Sequence, residues 1–129
     1  MVKFDTYLAI GIGGFIGAIL RAGITGFANS LFKSHFPLGT TLVNLIGSLI
    51  LGILAGLITL KAIENPFLKS LLTTGMMGAL TTYSTFALES YFLLEGGRID
   101  KGILFIFINL VGTILLAGFG FRVVLTLFK

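Results

Sequence analysis

The sequence predicts an all-α integral membrane protein, and three observations carry that prediction. The 129-residue chain is 56% hydrophobic and 11% charged, with a mean hydropathy of +1.08, so it has too little polar surface to cover a soluble globule. Apolar runs long enough to cross about 30 Å of hydrocarbon, at about 1.5 Å per residue, recur along its whole length. What separates them is short: Asn65-Pro66 and Gly96-Gly97 read as turns between helices, and no linker or low-complexity tract interrupts the pattern. Residues 1–129 are accordingly read as a single membrane domain of four transmembrane helices, at Thr6 to Phe32, Leu38 to Leu60, Lys69 to Leu94 and Lys101 to Leu125.

The first span lacks a short apolar core followed by a small-residue cleavage site, so it is read as a retained helix and not a signal peptide. Gly13 with Gly17, and the ladder Gly14, Ala18, Ala22 and Gly26, set small residues four apart, which lets helix backbones approach closely. The run from Gly11 to Gly17 lacks the preceding strand and the correctly spaced third glycine of a dinucleotide-binding loop. Arg21 lies well inside this span, where an unpaired guanidinium is expensive, so it snorkels, pairs, or serves a water-filled vestibule. The second span carries Asn44 near its start and the small pair Gly52 and Gly56 further on. The two donors of the Asn44 amide suit either an anion or a neighbouring helix.

The third span is the most informative. Gly78-Ala79-Leu80-Thr81-Thr82-Tyr83-Ser84-Thr85-Phe86 concentrates hydroxyls and aromatics in the middle of a membrane helix, where each polar group needs a partner inside the protein or a wet cavity. Gly75 and Gly78, followed by Thr81 and Thr82, weaken a helix by propensity and by hydroxyl competition for backbone groups, so a break is expected near Gly78 to Thr82. A break frees carbonyl oxygens for cations and a helix N-terminus for anions. The competing reading is a kinked helix whose hydroxyls bond back onto their own turn. Glu89, one turn beyond Phe86, is either a protonatable site in the span or a residue reaching the interface. In the fourth span Asn109 and Thr113 share a face, with Phe105 one turn earlier. Asn109-Leu-Val-Gly112-Thr113 also echoes Asn44-Leu-Ile-Gly47-Ser48 of the second span, as two duplicated helical hairpins would.

Charge and chemistry narrow the function. A net charge of +4 without any basic run suits lipid head groups or an anion path better than nucleic acid. The absence of cysteine excludes thiolate metal sites, haem attachment and disulfides. No nucleophile–base pair or cofactor motif can be assembled, so no enzyme is expected, and His35 sits in a short loop facing water. Lys3, Lys61, Lys69 and Lys129 fall on one side of the membrane against Lys33, Arg98 and Lys101 on the other. So near a tie leaves the positive-inside rule with little to choose by, the condition for insertion in both orientations and an antiparallel homodimer. Arg122, near the terminal side, instead favours one orientation with the termini inside.

Three stretches carry a family resemblance: Gly13-Gly14-Phe-Ile-Gly17-Ala18-Ile-Leu-Arg21, Gly39-Thr40-Thr41-Leu-Val-Asn44-Leu-Ile-Gly47-Ser48, and Gly78 through Phe86. They closely resemble, in order, the signature stretches of the Fluc family of fluoride channels, also called CrcB. The resemblance spans nearly the whole chain. It implies small four-helix subunits assembled as antiparallel, dual-topology homodimers with two pores, which export fluoride passively across the inner (plasma) membrane and confer fluoride resistance. It implies that Asn44 and Arg21 belong to the polar approach and that Tyr83 and Phe86 occupy two aromatic box positions. Their ring edges, where an aromatic carries positive potential, would face fluoride without trapping it. Ser84, Thr85, Asn109 and Thr113 would add donors along the path. Backbone carbonyls of Gly78 and Thr81 from both subunits would hold a structural sodium ion at the dimer interface, hard oxygen ligands suiting a hard cation. Two residues depart from the family pattern: Tyr83 stands where Phe is usual, and Phe105 where many members carry Tyr.

Two other classes remain as alternatives. A small multidrug-resistance-type proton-coupled antiporter needs a carboxylate embedded in its first span, and the predicted first span has none. A non-transporting membrane scaffold subunit would need only the small-residue faces.

Overall fold

The computed structural model describes residues 2–129, and the described residues form helices and no strands. Helix α1 (Phe4–Leu31) starts from the extended Lys3 with Asp5 in its first turn, where a carboxylate complements the helix dipole. Its 28 residues span about 42 Å, more than the hydrocarbon thickness, so tilt or extension into the headgroups is required. Helix α2 (Leu38–Thr59) follows Pro37 and ends in a left-handed residue, Lys61, at φ 58°. Lys61 N donates to Ile58 O at 3.0 Å and Ala62 N to Leu57 O at 2.9 Å, closing carbonyls that the helix end leaves open.

Asn65-Pro66 does more than turn the chain. The Asn65 side chain accepts from Phe67 N at 2.9 Å and Leu68 N at 3.2 Å, and Pro66 occupies the first helical position, where its missing N–H costs nothing. Helix α3 (Pro66–Ser70) passes into a π-helical stretch (Leu71–Met77) and then α4 (Gly78–Leu80). Thr81 and Thr82 are extended, at φ −83°, ψ 158° and φ −148°, ψ 115°, and α5 (Tyr83–Glu95) follows. Helix α6 (Ile99–Phe107), a second π-helical stretch (Ile108–Gly112) and α7 (Thr113–Leu127) form one continuous run. Among the described residues, Phe4–Leu31, Leu38–Thr59 and Ile99–Leu127 are each long and apolar enough to cross a membrane.

Glycine decides which faces meet. α1 packs chiefly on Leu71–Met77, and α2 on α7. A Cβ on Gly13 would overlap the Leu71 carbonyl, one on Gly17 the Met76 carbonyl, and one on Gly52 the Ala117 carbonyl. The ladder beginning at Gly14 behaves differently, because Gly14 and Gly26 have open space where a Cβ would stand. The Gly13 and Gly17 face thus builds the subunit, while the ladder has room for a further backbone. Two apolar clusters result, one of Val43, Leu54, Met77 and Leu80, the other of Phe86, Leu93 and Phe105 with Phe36 and Ile106 against it.

Gly52→Val tests one of these close approaches. Both colliding groups are backbone or directly attached to it, so neither yields by rotamer change, and overpacking of this kind costs about 1–3 kcal/mol. The detergent-solubilised variant is expected to unfold at a clearly lower temperature than the parent. An unchanged Tm means that α2 and α7 are not this close.

Candidate functional site

Asn44 is the hinge of the site. Its carboxamide, on an α2 residue only 8% exposed, accepts from Thr82 N at 2.8 Å through Oδ1 and donates to Thr82 O at 3.1 Å through Nδ2. A side-chain amide here presents the donor–acceptor pair of a neighbouring strand to one extended residue. The other Nδ2 proton goes to Asn109 Oδ1 at 2.9 Å. Asn109, 4% exposed, in turn donates to Thr41 Oγ1 at 3.3 Å and Phe105 O at 3.0 Å. The two asparagines at matching places in the sequence echo, one on α2 and one in the Ile108–Gly112 stretch, therefore meet, and all four of their side-chain N–H bonds are committed. At this depth an unmade bond would cost about 1–3 kcal/mol.

The same bonds release backbone carbonyls. In an uninterrupted α-helix Thr82 N would close the Gly78 carbonyl and Thr85 N the Thr81 carbonyl. Thr82 N is diverted to Asn44. Thr85 N goes to Thr82 Oγ1 at 3.3 Å, the N-cap of α5, and that hydroxyl donates to Thr85 Oγ1 at 3.0 Å. Gly78 is exposed and Thr81 half-buried.

A row of rings leads away from this point. Tyr83 and Phe86 stand 5.4 Å apart between centroids at 64°, Phe86 and Phe105 5.5 Å apart at 47°, and Phe105 and Phe36 5.6 Å apart at 89°. Tyr83 is 74% exposed whereas Phe86 is 6% and Phe105 0% exposed, so the row runs from the surface into the core before ending at the half-buried Phe36. Beside it lies a cleft of about 290 Å³ lined by residues of α2, the Ile108–Gly112 stretch, α7 and the Thr81–Phe86 segment.

Asn44, Thr81, Tyr83, Phe86, Asn109 and Thr113 all line that cleft, and Ser84, Thr85, Arg21 and Gly78 do not. Helical rotation of about 100° per residue explains the division within α5: Tyr83 and Phe86 share a face, and Ser84 and Thr85 turn outward. Arg21 is half-buried on α1. Sequence reasoning passed over Ser48, although its place one turn after Asn44 put it on the same face, and Phe36, for which no local signal existed. Glu89 is half-buried, with Oε2 buried and without a hydrogen-bond partner. Among the described residues no three His, Cys, Asp or Glu side chains come together to hold a metal.

The cleft thus offers aromatic edges, hydroxyls and the N-terminus of a 13-residue helix, a lining suited to a small anion and without a full positive charge. Comparison with known proteins agrees in kind. The family model described as CrcB-like protein, Camphor Resistance (CrcB), matches residues 8–121. A protein of Nautilia profundicola named fluoride-specific ion channel FluC is 57% identical, over 94% of each chain. Proteins of the same name from Sulfurimonas denitrificans and Campylobacter fetus are 47% and 43% identical, over 95% of this chain in both cases and 95% and 96% of their own.

Proposed function

This chain belongs to the CrcB family, and from that premise we propose that it is a fluoride-selective channel through which fluoride leaves the cytoplasm passively. It is a multi-pass protein of the inner (plasma) membrane. The observation that carries the reading is the cleft itself, where Tyr83 and Phe86 stand over the extended Thr81–Thr82 segment beside the Asn44–Asn109 pair. A fluoride ion entering there exchanges water for ring edges and hydroxyl protons, and nothing in the cleft lining carries a full charge to hold it. The inside-negative potential supplies about 2.3 kcal/mol per charge per 100 mV, so export needs no coupled energy source. Chloride must be refused, because its leak would depolarise the cell.

The finer assembly follows from the same premise. Four crossings result when the Pro66–Leu80 run and α5 together make the third. The subunits pair antiparallel in dual topology, a reading supported by the near tie in flanking cations, the open space beside Gly14 and Gly26, and the exposure of Tyr83. Gly78 and Thr81 carbonyls from both subunits would hold a sodium ion at the interface. Their fit is supported by the diversion of Thr82 N and Thr85 N, the helical donors that would otherwise close them. Held there, the carbonyl oxygens of Gly78 and Thr81 would have their mutual repulsion offset by a cation whose part would be structural.

Reconstitution in liposomes tests the function. Valinomycin-triggered efflux is read by fluoride and chloride electrodes side by side. Rapid fluoride loss with chloride retained is expected, at the same rate with and without a pH gradient. No fluoride loss from folded protein overturns the channel reading, and flux that requires both a proton gradient and Glu89 replaces it with an antiporter.

A further inference from the structure

Most hydrogen-bond donors in the cleft are already committed within the protein. Seven cleft-lining side chains can donate: Asn44, Ser48, Thr81, Thr82, Tyr83, Asn109 and Thr113. The two amides have no free N–H. The Thr81 hydroxyl donates to Met77 O at 3.0 Å, the Thr82 hydroxyl to Thr85 Oγ1, and the Thr113 hydroxyl to Asn109 O. Ser48 and Tyr83 alone keep an O–H proton uncommitted. Tyr83 stands at the exposed mouth, whereas Ser48 is half-buried on α2, one turn beyond Asn44.

The sequence echo sharpens the contrast. Ser48 follows Asn44 as Thr113 follows Asn109, four residues on. Thr113 bonds back to the asparagine carbonyl, as helical hydroxyls commonly do, whereas Ser48 makes no such bond to Asn44. One half of the echo has closed its hydroxyl and the other has left it facing a cleft.

We infer that Ser48, on the channel reading above, is the inner hydroxyl ligand of fluoride in this cleft, and that Asn44 and Asn109 are positioning residues holding the Thr82 backbone. A hydroxyl donating to a full anion forms a short, charge-assisted bond. Fluoride is small and a strong acceptor, so one well-placed O–H discriminates for it over a larger halide.

Ser48→Ala removes the proton and little else, since alanine is favoured in a helix. Conduction is measured against fluoride concentration in reconstituted parent, Ser48→Ala and Ser48→Thr proteins. A hydrogen bond to a charged group is among the stronger ones a protein makes, so the fluoride concentration for half-maximal flux should rise about tenfold or more in Ser48→Ala. Ser48→Thr, which keeps the hydroxyl, should return it to near the parent value. An unchanged half-saturating concentration in Ser48→Ala overturns the inference, as does a loss of maximal flux alone. The parent protein is read first: if it conducts no fluoride, the channel reading itself fails, a result distinct from a conducting parent with an indifferent Ser48→Ala.

Discussion

Asn44→Asp abolishes fluoride efflux, the largest functional loss expected of any single substitution in this protein. The exchange is nearly isosteric, so the effect is one of hydrogen-bond polarity and charge. Asn44 Nδ2 donates to Thr82 O and to Asn109 Oδ1, and a carboxylate has no proton for either. The carboxylate oxygen in the place of Nδ2 would then face two acceptor oxygens at a site 8% exposed, while the other still accepts from Thr82 N, at about 1–3 kcal/mol for each unmade bond before any charge is counted. Thr82 loses half of its side-chain strand partner, and a negative charge stands beside an anion path. The check is liposome efflux from variant protein that elutes from size-exclusion chromatography where the parent does. Undiminished flux means that conduction needs neither the Asn44 hold on Thr82 nor Asn44 in the pathway.

Phe86→Ile is expected to lower fluoride flux tenfold or more while leaving chloride excluded. Phe86 touches Tyr83 on one side and Phe105 on the other, and it lines the cleft at 6% exposure. Isoleucine fills most of the volume but has no quadrupole, so the positive ring edge is lost. The aromatic contacts that orient Tyr83 go with it. Phe86→Tyr, which keeps the ring, should conduct far better than Phe86→Ile. Equal rates for Phe86→Ile and the parent would mean that the ring edge does not meet the ion.

Much of this was legible because the bilayer is a severe solvent. Long apolar runs in lipid have helix as their one open-chain option, so hydropathy alone located Phe4–Leu31, Leu38–Thr59 and Ile99–Leu127 to within a few residues. Asn44, Tyr83, Phe86, Asn109 and Thr113 could be singled out since polar and aromatic residues at that depth need a reason. Helical spacing did not reveal which hydroxyls face the cleft: Ser84 and Thr85 matched the family stretch yet turn away from it, and Ser48 was overlooked. Of the small-residue faces on α1, spacing ranked Gly13 and Gly17 with the Gly14 ladder, yet a Cβ would collide with another element at Gly13 and Gly17 and stand in open space at Gly14 and Gly26.

By itself, then, the sequence determined the helical membrane class, the family, and the local reluctance of Gly75, Gly78, Thr81 and Thr82 to continue a helix, all set by residue type or spacing within a turn or two. The tertiary structure decided where the hydrogen bonds go. Asn44 reaches Thr82 across 38 positions and Asn109 across 65, and those bonds take Thr82 N from the Gly78 carbonyl and commit every amide proton in the cleft. Pairings of that range depend on which helices lie side by side. That in turn depends on backbones meeting at Gly13, Gly17 and Gly52, a matter of shape in three dimensions that no local pattern encodes.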